Sequence, residues 1–429
     1  MRLYGQNQRL FLLLLLLMVI TTHGVLGRRR RRARGRSSPH APGPNMCKVQ
    51  QVLGTKEKFF THCIAKHLKM ICERPTIDVW ECCSGFVKQR GKTGCTGEKP
   101  LGNIVETARD LRLNGFVQMT GTTGQRDDLS NHGAYTVFAP TDEAMWDASP
   151  KKLTELISDE NSLPLLKYHT APGRLNISNF VKRNQQFVTL YDGQKIRINK
   201  YAYGVATVNC ARIIRPDEKA TNGIVHVIDK VLSPHDVDST LAERVEKDDR
   251  FSQFHLAMLV ADLARRLNSE RGSFTVLAPT NEAFARLPSD LLDQILTDAD
   301  TAEKVMKRHI VRGVYCADAI VVAVGLKTMD DSRLLFRCKR DGLRVNEARV
   351  IHPDITASNG VMHGIDTVLL PDSVKKTTQL LEDMRLSKFM ELVAAAGLNM
   401  TLDNGGDVTV FSPTDQALGN IPPKYMASL

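Results

Sequence analysis

No catalytic signature occurs anywhere in the 429 residues. The sequence contains neither the His-Glu-x-x-His pattern of zinc proteases nor the Gly-x-Ser-x-Gly of serine hydrolases, and no Gly-x-Gly-x-x-Gly dinucleotide loop. No Cys-x-x-Cys pair is present either, which disfavours a structural zinc site, and no acidic loop of EF-hand type appears. We therefore predict a protein that is not an enzyme, and the sequence points to no cofactor and to no metal-ligating residue.

Long apolar runs are equally scarce, because only residues 10–20 form one. This run follows Arg2 and Arg9 and is succeeded by small and polar residues up to Gly27, which is the layout of a secretory signal peptide at residues 1–27. It is too short to cross a bilayer, and no later segment reaches the roughly 20 apolar residues of a membrane helix. We expect a soluble, secreted product without a transmembrane segment.

Positive charge is concentrated in one short segment. The formal net charge is +11, but it falls to +2 without the signal peptide and the arginines of a linker at residues 28–44. Such a run suits a sulfated glycosaminoglycan, an anionic lipid or a convertase-type protease, or it is simply a flexible leader. Nucleic acid is not expected as a partner of a secreted chain. The predicted polyanion-binding residues are Arg28, Arg29, Arg30, Arg31, Arg32, Arg34 and Arg36.

Nine cysteines are present, and six of them fall between positions 47 and 95. In a secreted chain, disulfides are the expected state of such residues. The number is odd, so at least one thiol stays free or pairs with another molecule. Cys82 and Cys83 are adjacent and should have separate partners. Cys210 stands where a second copy of the same local sequence has Glu347, which suggests a link between domains.

The strongest signal is an internal repeat. The string Thr-Val-Phe-Ala-Pro-Thr-Asp-Glu-Ala and two close variants occupy residues 136–144, 275–283 and 409–417. A second string, Asn-Gly-x-x-His-x-Ile-Asp, occurs at residues 222–229 and 359–366. A period of this length exceeds that of solenoid repeats, so each copy is predicted to be an independent domain.

Each copy reads as a mixture of strands and helices. A β-branched and aromatic strand ends at Pro140, and the following Thr-Asp pair can cap a helix. In the second copy, helices are predicted over residues 287–296 and 302–310, followed by alternating strands and an Asn-Gly hairpin turn. This pattern indicates an α+β fold with a mainly antiparallel sheet. His226 and His363 lie in the closing strand and are interpreted as core histidines.

These strings resemble the two signature motifs of fasciclin-like domains, and the cysteine cluster resembles the EMI module of extracellular matrix proteins. The resemblance divides the chain into an EMI-like cysteine-rich module at residues 45–99, fasciclin-like domains at 100–234 and 235–371, and a truncated third domain at 372–429. The family's Tyr-His motif appears as Tyr168 and His169, whereas the second copy has Arg308 and His309. Tyr168 and His169 are therefore the predicted adhesion motif.

The resemblance also implies four disulfides: Cys47 with Cys83, Cys82 with Cys95, Cys210 with Cys316, and Cys72 with Cys338. Cys63 would remain unpaired. Because the third copy ends before its second motif, we expect it to be poorly packed or disordered. Asn176 and Asn399 begin glycosylation sequons. Asn176 and Cys316 each lie seven residues after the aligned histidines, so we expect both in one surface loop that accommodates a glycan or an inter-domain bridge.

The function that the resemblance implies is that of a secreted matrix adhesion or scaffold protein. Its partners would be matrix proteins such as collagen, glycosaminoglycans and cell-surface receptors, and it could form a homo-oligomer. No Arg-Gly-Asp occurs, so integrin binding would need another surface. The alternative is a soluble secreted modulator that sequesters a growth factor or a small hydrophobic molecule.

Overall fold

The computed structural model describes residues 43–55, 57–60, 69–131, 133–147, 159–179, 184–201, 204–269, 272–404 and 406–421. The predicted signal peptide, the seven arginines of the linker and Cys63 lie outside these residues. Among the described helices, none is long and apolar enough to cross a membrane.

The N-terminal module is built from short strands that disulfides hold together. Four strands form one sheet in the order β2-β1-β4-β3, and two more form a separate ribbon. Val49 and Val52 on the central strand are fully buried. The strands are β1 Met46–Val52, β2 Lys58–Phe60, β3 Met70–Ile71, β4 Arg74–Cys82, β5 Phe86–Val87 and β6 Gly97–Glu98.

The first repeat domain contains a seven-stranded sheet in the order β8-β7-β13-β12-β11-β10-β9. Among the described strand pairs of this domain, only β7–β13 is parallel, and its register brings Val137 opposite Val225. The strands are β7 Tyr135–Pro140, β8 Thr170–Pro172, β9 Gln185–Val188, β10 Lys195–Lys200, β11 Ala206–Val208, β12 Ala211–Ala220 and β13 Gly223–Ile228. The helices are α1 Ile104–Asp110, α2 Asn114–Thr122, α3 Arg126–Asn131, α4 Asp142–Asp147 and α5 Asp159–Tyr168.

The second repeat domain has the same topology, with the sheet order β15-β14-β20-β19-β18-β17-β16. Its strands are β14 Phe274–Pro279, β15 Ile310–Arg312, β16 Val324–Lys327, β17 Arg333–Lys339, β18 Gly342–Val345, β19 Ala348–Ala357 and β20 Gly360–Ile365. Its helices are α6 Leu241–Glu246, α7 Ser252–Val260, α8 Ala264–Leu267, α9 Asn281–Phe284, α10 Ser289–Thr297 and α11 Ala299–Arg308. The predicted α+β class and the mainly antiparallel sheet are confirmed.

Two hydrophobic clusters fill each repeat domain. In the second domain, one cluster packs the helices against β14 and β20 and includes Phe254 and Phe284. The other lies against the strands β16 to β19 and includes Leu334, Phe336 and Val345. These strands alternate buried and outward-facing residues, so one face of that part of the sheet is left for contacts with other modules or with solvent.

The repeated asparagine of the Asn-Gly motif ties the closing hairpin to the helices. The Asn222 side chain accepts a hydrogen bond from the Ile104 backbone N–H at 2.9 Å and donates to the Leu129 carbonyl at 2.7 Å. Asn359 makes the matching contacts in the second domain. The following glycine is required by packing, because a Cβ on Gly360 would lie 2.2 Å from the Phe274 carbonyl oxygen.

The third repeat is helical over its described part. Its helices are α12 Thr377–Asp383, α13 Ser387–Ala395, α14 Asn399–Asn404 and α15 Asp415–Gly419. Residues 408–413, which match β7 and β14 in sequence, form no strand, and Phe411 is 91% exposed. Its buried apolar side chains among the described residues are few: Leu381, Leu386, Val393 and Leu418. That this repeat is poorly packed remains a prediction, which limited proteolysis can test.

Candidate functional site at the junction of three modules

The structure joins eight of the nine cysteines in the four pairs that the resemblance implies. Cys47–Cys83 and Cys82–Cys95 lie within the N-terminal module. Cys72–Cys338 links that module to the second repeat domain, and Cys210–Cys316 links the two repeat domains. The two long-range disulfides thus meet in the region where all three modules come together.

One hydrophobic cluster is shared by the three modules at this point. The N-terminal module contributes Val52, Phe59 and Ile71, the first repeat domain contributes Val205 and Cys210, and the second contributes Val314, Cys316, Ala319, Val321 and Val361. All of these side chains are less than one-tenth exposed. Because a contiguous buried cluster crosses the module boundaries, we treat this junction as one packed unit.

Polar contacts at the junction begin with Arg197 on β10, whose side chain is 7% exposed. Its guanidinium donates hydrogen bonds to the backbone carbonyls of Ala357, the last residue of β19, and of Ser358, in the turn that follows. Burial lowers the pKa of Arg197 from its usual value. The charge is thus placed against the carbonyl dipoles of the neighbouring domain.

Tyr201, just after β10, completes this contact. Its hydroxyl donates to the Val314 carbonyl at 3.2 Å and accepts a hydrogen bond from the Cys316 N–H at 3.2 Å. Burial raises the pKa of Tyr201 to about 12, so the phenol stays protonated and can act as both donor and acceptor. The tyrosine therefore fixes the backbone that leads into one disulfide cysteine, Cys316.

A cluster of charges surrounds the junction. Lys230 of the first domain contacts Asp318 at 2.7 Å and Asp354 at 3.0 Å in the second. Burial opposes the charged form of Lys230, but the two carboxylates outweigh it and raise the pKa of this lysine. On the other side, Arg212 contacts Glu57 of the N-terminal module at 2.8 Å and covers the Phe59 ring.

The histidines of the closing strand explain how Asp354 is aimed at the junction. His363 is fully buried, and its Nδ1 accepts a hydrogen bond from the Asp354 N–H at 3.0 Å. Asp354 has a positive φ of 58° within a β-bulge of β19. His226 holds Asp217 of β12 in the same way. Both histidines are core residues, as interpreted from the sequence.

A cavity of about 340 Å³ lies between the two repeat domains. Its lining includes Arg197, Asn199, Asp238, Thr356 and Ser358. Cys210 also reaches it, and Cys210 and Cys316 lie beside Asp354, but both sulfurs are held in the disulfide. This mostly polar lining suits packing and binding.

The predicted adhesion motif is buried in the first repeat domain. Tyr168 and His169 are both 0% exposed. The Tyr168 hydroxyl accepts a hydrogen bond from the Asn209 amide at 2.8 Å, and His169 Nε2 accepts one from the Leu232 N–H at 3.0 Å. His309 bonds to Leu369 in the same way. Direct contact with a partner is therefore not open to either side chain in this conformation, and we expect them to act through the fold.

The two sequons lie in different settings. Asn176 is half-buried and directly precedes a short 3-10 turn at Ile177–Asn179, whereas Asn399 is exposed at the start of α14. Cys316 precedes the equivalent turn, Ala317–Ala319, so the two loops do correspond. However, Cys316 is 0% exposed. The loop does carry an inter-domain bridge, as predicted, but its cysteine is not at the surface, because the Cys210–Cys316 disulfide lies inside the junction.

Sequence reasoning did not identify Arg197, Tyr201 or Lys230 as junction residues. The strand registers align Arg197 with Leu335, since Ile198 pairs with Val208 as Phe336 pairs with Val345. The sequence signal that could have identified Arg197 is this difference between two otherwise similar repeats. A residue that one copy has and the other lacks is not needed by the fold and can serve a contact between domains.

Tandem domains with this order of strands and these two motifs define a class of protein, and comparison with known families identifies it. The Fasciclin domain model matches residues 111–234, 249–371 and 384–429, so the chain belongs to the fasciclin-domain family. Over 389 residues, it is 34% identical to "Transforming growth factor-beta-induced protein ig-h3" of Sus scrofa, covering 90% of this chain and 56% of that protein. Over 393 residues, it is 33% identical to periostin of Homo sapiens, covering 91% and 46%, respectively.

The chain spans about half the length of these curated relatives. Among solved structures, it is similar to a FAS1 domain pair from the insect cell adhesion molecule Fasciclin I. That likeness has 21% sequence identity and a TM-score of 0.31, and it covers 62% of this chain and 99% of the other.

Proposed function

We propose that this chain is a secreted adhesion and scaffold protein of the extracellular matrix without catalytic activity. Its partners are matrix proteins such as collagen, glycosaminoglycans and cell-surface receptors, which it binds without an Arg-Gly-Asp tripeptide. The observation that carries the proposal is the shared junction, where Cys72–Cys338 and Cys210–Cys316 clamp three modules around one hydrophobic cluster. Such a unit keeps several binding surfaces at fixed distances, which suits a scaffold.

Two further observations support this assignment. Disulfides persist in oxidising compartments, so four of them favour an extracellular location. Salt bridges between modules, such as Lys230 with Asp354 and Arg212 with Glu57, add specific orientation to the covalent links. Domains that are held in this way transmit force between their outer surfaces instead of moving about a hinge.

The test is binding of the secreted full chain to immobilised collagen and to a cell layer, with and without residues 28–36. We expect both proteins to bind, because the adhesive surfaces belong to the folded modules. Loss of binding on deletion would move adhesion to the arginine-rich segment. A chain that binds neither surface, although its four disulfides are intact, would contradict the proposal.

The cavity between the repeat domains favours a second candidate, a soluble modulator that holds a small molecule or a segment of a growth factor. Its volume of about 340 Å³ is within the range of small-ligand sites. Fractionation of a producing culture separates the two functions. A scaffold is recovered with the extractable matrix, whereas a modulator stays in the conditioned medium.

A further inference from the structure

An outward-facing row of three arginines crosses the sheet of the second repeat domain. Arg337 on β17 lies directly opposite Arg344 on β18, and Arg344 lies directly opposite Arg349 on β19. Residues directly opposite each other on antiparallel strands have their side chains on the same face. We call Arg337, Arg344 and Arg349 the arginine row. Their strand neighbours Phe336, Leu343 and Val350 point to the core instead.

The first repeat domain provides an internal comparison. There, the equivalent positions are Asn199, Thr207 and Arg212, which are joined by the same pairings. That row is covered: Asn199 and Thr207 are at most 3% exposed, and Thr207 lies 3.7 Å from the Cys316 sulfur of the next domain. Arg212 is neutralised by Asp229 and by Glu57 of the N-terminal module. The face that is a neutral module contact in one domain is open and basic in the other.

The charge of the arginine row is only partly compensated. Arg344 pairs with Asp341 at 2.7 Å, but neither Arg337 nor Arg349 forms an ion pair with any residue that the structure describes. Like charges directly opposite each other destabilise a sheet, so the fold alone gives no reason to keep three of them. An anion that spans the strands would offset this repulsion.

More basic side chains extend the row into a band. Arg333 is exposed on the same face of β17, four residues before Arg337, and Lys339 follows two residues after it. Beside the Cys72–Cys338 disulfide, Arg74 of the N-terminal module donates to the Arg340 carbonyl, and Arg340 donates to the Glu73 carbonyl. The positive surface therefore continues across the boundary that the disulfide fixes.

We infer that this band, centred on Arg337, Arg344 and Arg349, is a binding surface for a sulfated polysaccharide. Guanidinium groups bind sulfate oxygens with two parallel hydrogen bonds, and strands hold neighbouring arginines about 5 Å apart. A protein partner would also need an apolar centre, and the face beside the row offers only scattered apolar side chains, such as the partly buried Leu335 and the half-exposed Ile351. The inference rests on the proposed extracellular function and adds a site separate from residues 28–36.

The test uses the full chain without residues 28–36, so that the linker arginines do not contribute. The double substitution Arg337→Asn and Arg344→Thr gives the row the residues of the first repeat domain. Arg265→Gln with Arg266→Gln is the matched control, because it removes two exposed positive charges from α8 of the same domain. Both proteins are checked for intact disulfides and for a melting temperature no lower than that of the parent before binding is measured.

Affinity for immobilised heparin is measured at physiological salt. We expect the row variant to bind about tenfold more weakly than its parent, while the control binds as the parent does. If both variants bind heparin more weakly by the same factor, net charge alone explains the effect and the inference is wrong. The inference is also wrong if neither variant binds more weakly than the parent. Polyglutamate serves as the acidic-peptide probe. If it binds as tightly as heparin and responds equally to the row variant, the assignment to a polysaccharide is wrong.

Binding to collagen and to a cell layer is recorded for the same proteins. If only the inference is wrong, all of these proteins still bind collagen and cells. If the proposed function is wrong, none of them binds, including the parent.

Discussion

Acidification should destabilise both repeat domains in a pH range where ordinary carboxylates hardly titrate. The cause is a pair of equivalent histidines, His169 after α5 and His309 after α11, both fully buried. In each, Nδ1 lies 2.8–2.9 Å from a carbonyl oxygen of the preceding helix, and Nε2 accepts a backbone N–H at 3.0 Å. The neutral ring therefore carries its proton on Nδ1, and a second proton on Nε2 would face a donor.

Burial lowers the pKa of His169 and of His309 from 6.5 to about 4, although each ring has a favourable hydrogen bond to a backbone carbonyl. As the pH falls, the unfolded chain takes up these protons near pH 6.5, whereas the folded chain takes them up only near pH 4. The stabilising contribution is thus fully present above pH 6.5 and is lost as the pH falls towards about 4. At about pH 5, the expected loss is about 2 kcal/mol for each histidine.

The assay is urea unfolding at about pH 7.5, 6.5 and 5, with the disulfides intact. The variants His169→Gln and His309→Gln retain one donor and one acceptor but no titrating group. Each should be less stable at neutral pH, because the amide fits the site less well, and its loss of stability between pH 7.5 and 5 should be about 2 kcal/mol smaller than that of the wild type. A wild-type chain with equal stability at the three pH values, or variants with the same pH dependence, would refute the reasoning.

Three other perturbations test the framework. Replacing Cys210 and Cys316 by serine removes a disulfide with a sequence separation of 106 residues. The free energy of unfolding, measured in urea without reductant, should fall by up to about 4–5 kcal/mol. An unchanged midpoint would show that the junction is stable without this disulfide. Asn222→Ala removes buried hydrogen bonds to the backbone of α1 and α3, so the free energy of thermal unfolding should fall by about 2–4 kcal/mol. A loss below about 1 kcal/mol would contradict the burial of these hydrogen bonds. Gly360→Ala places a Cβ 2.2 Å from a carbonyl oxygen of β14, so the secreted yield should fall sharply, and normal yield and melting would contradict the close approach.

The repeat domains could be predicted because their signals are local or periodic. The strand before Pro140, the Asn-Gly turns and the alternation in β17 and β18 each follow from neighbouring residues. The predicted helix at residues 287–296 appears as Ser289–Thr297, and the one at 302–310 belongs to Ala299–Arg308. Boundaries moved by a few residues because caps such as Asp298 fix them more closely than hydrophobic periodicity does.

The candidate site was less predictable, since its residues interact over long sequence separations. Arg197 bonds to Ser358, and Lys230 bonds to Asp354, but no pattern along the chain places these residues next to each other. The Tyr168–His169 motif shows the opposite problem. A motif that is recognisable in sequence turned out to be fully buried, and recognisability alone did not distinguish a packing residue from a contact residue.

The amino-acid sequence by itself determined the repeated α+β domains, the cysteine-rich module and the family, because motif, turn and periodicity are properties of short segments. Only the tertiary structure decided which faces of the two similar sheets are covered. The row Asn199–Thr207–Arg212 is enclosed by neighbouring modules, whereas Arg337–Arg344–Arg349 remains open. That difference arises from how the modules pack around the disulfides at their junction, and packing between distant segments is not encoded in any one of them.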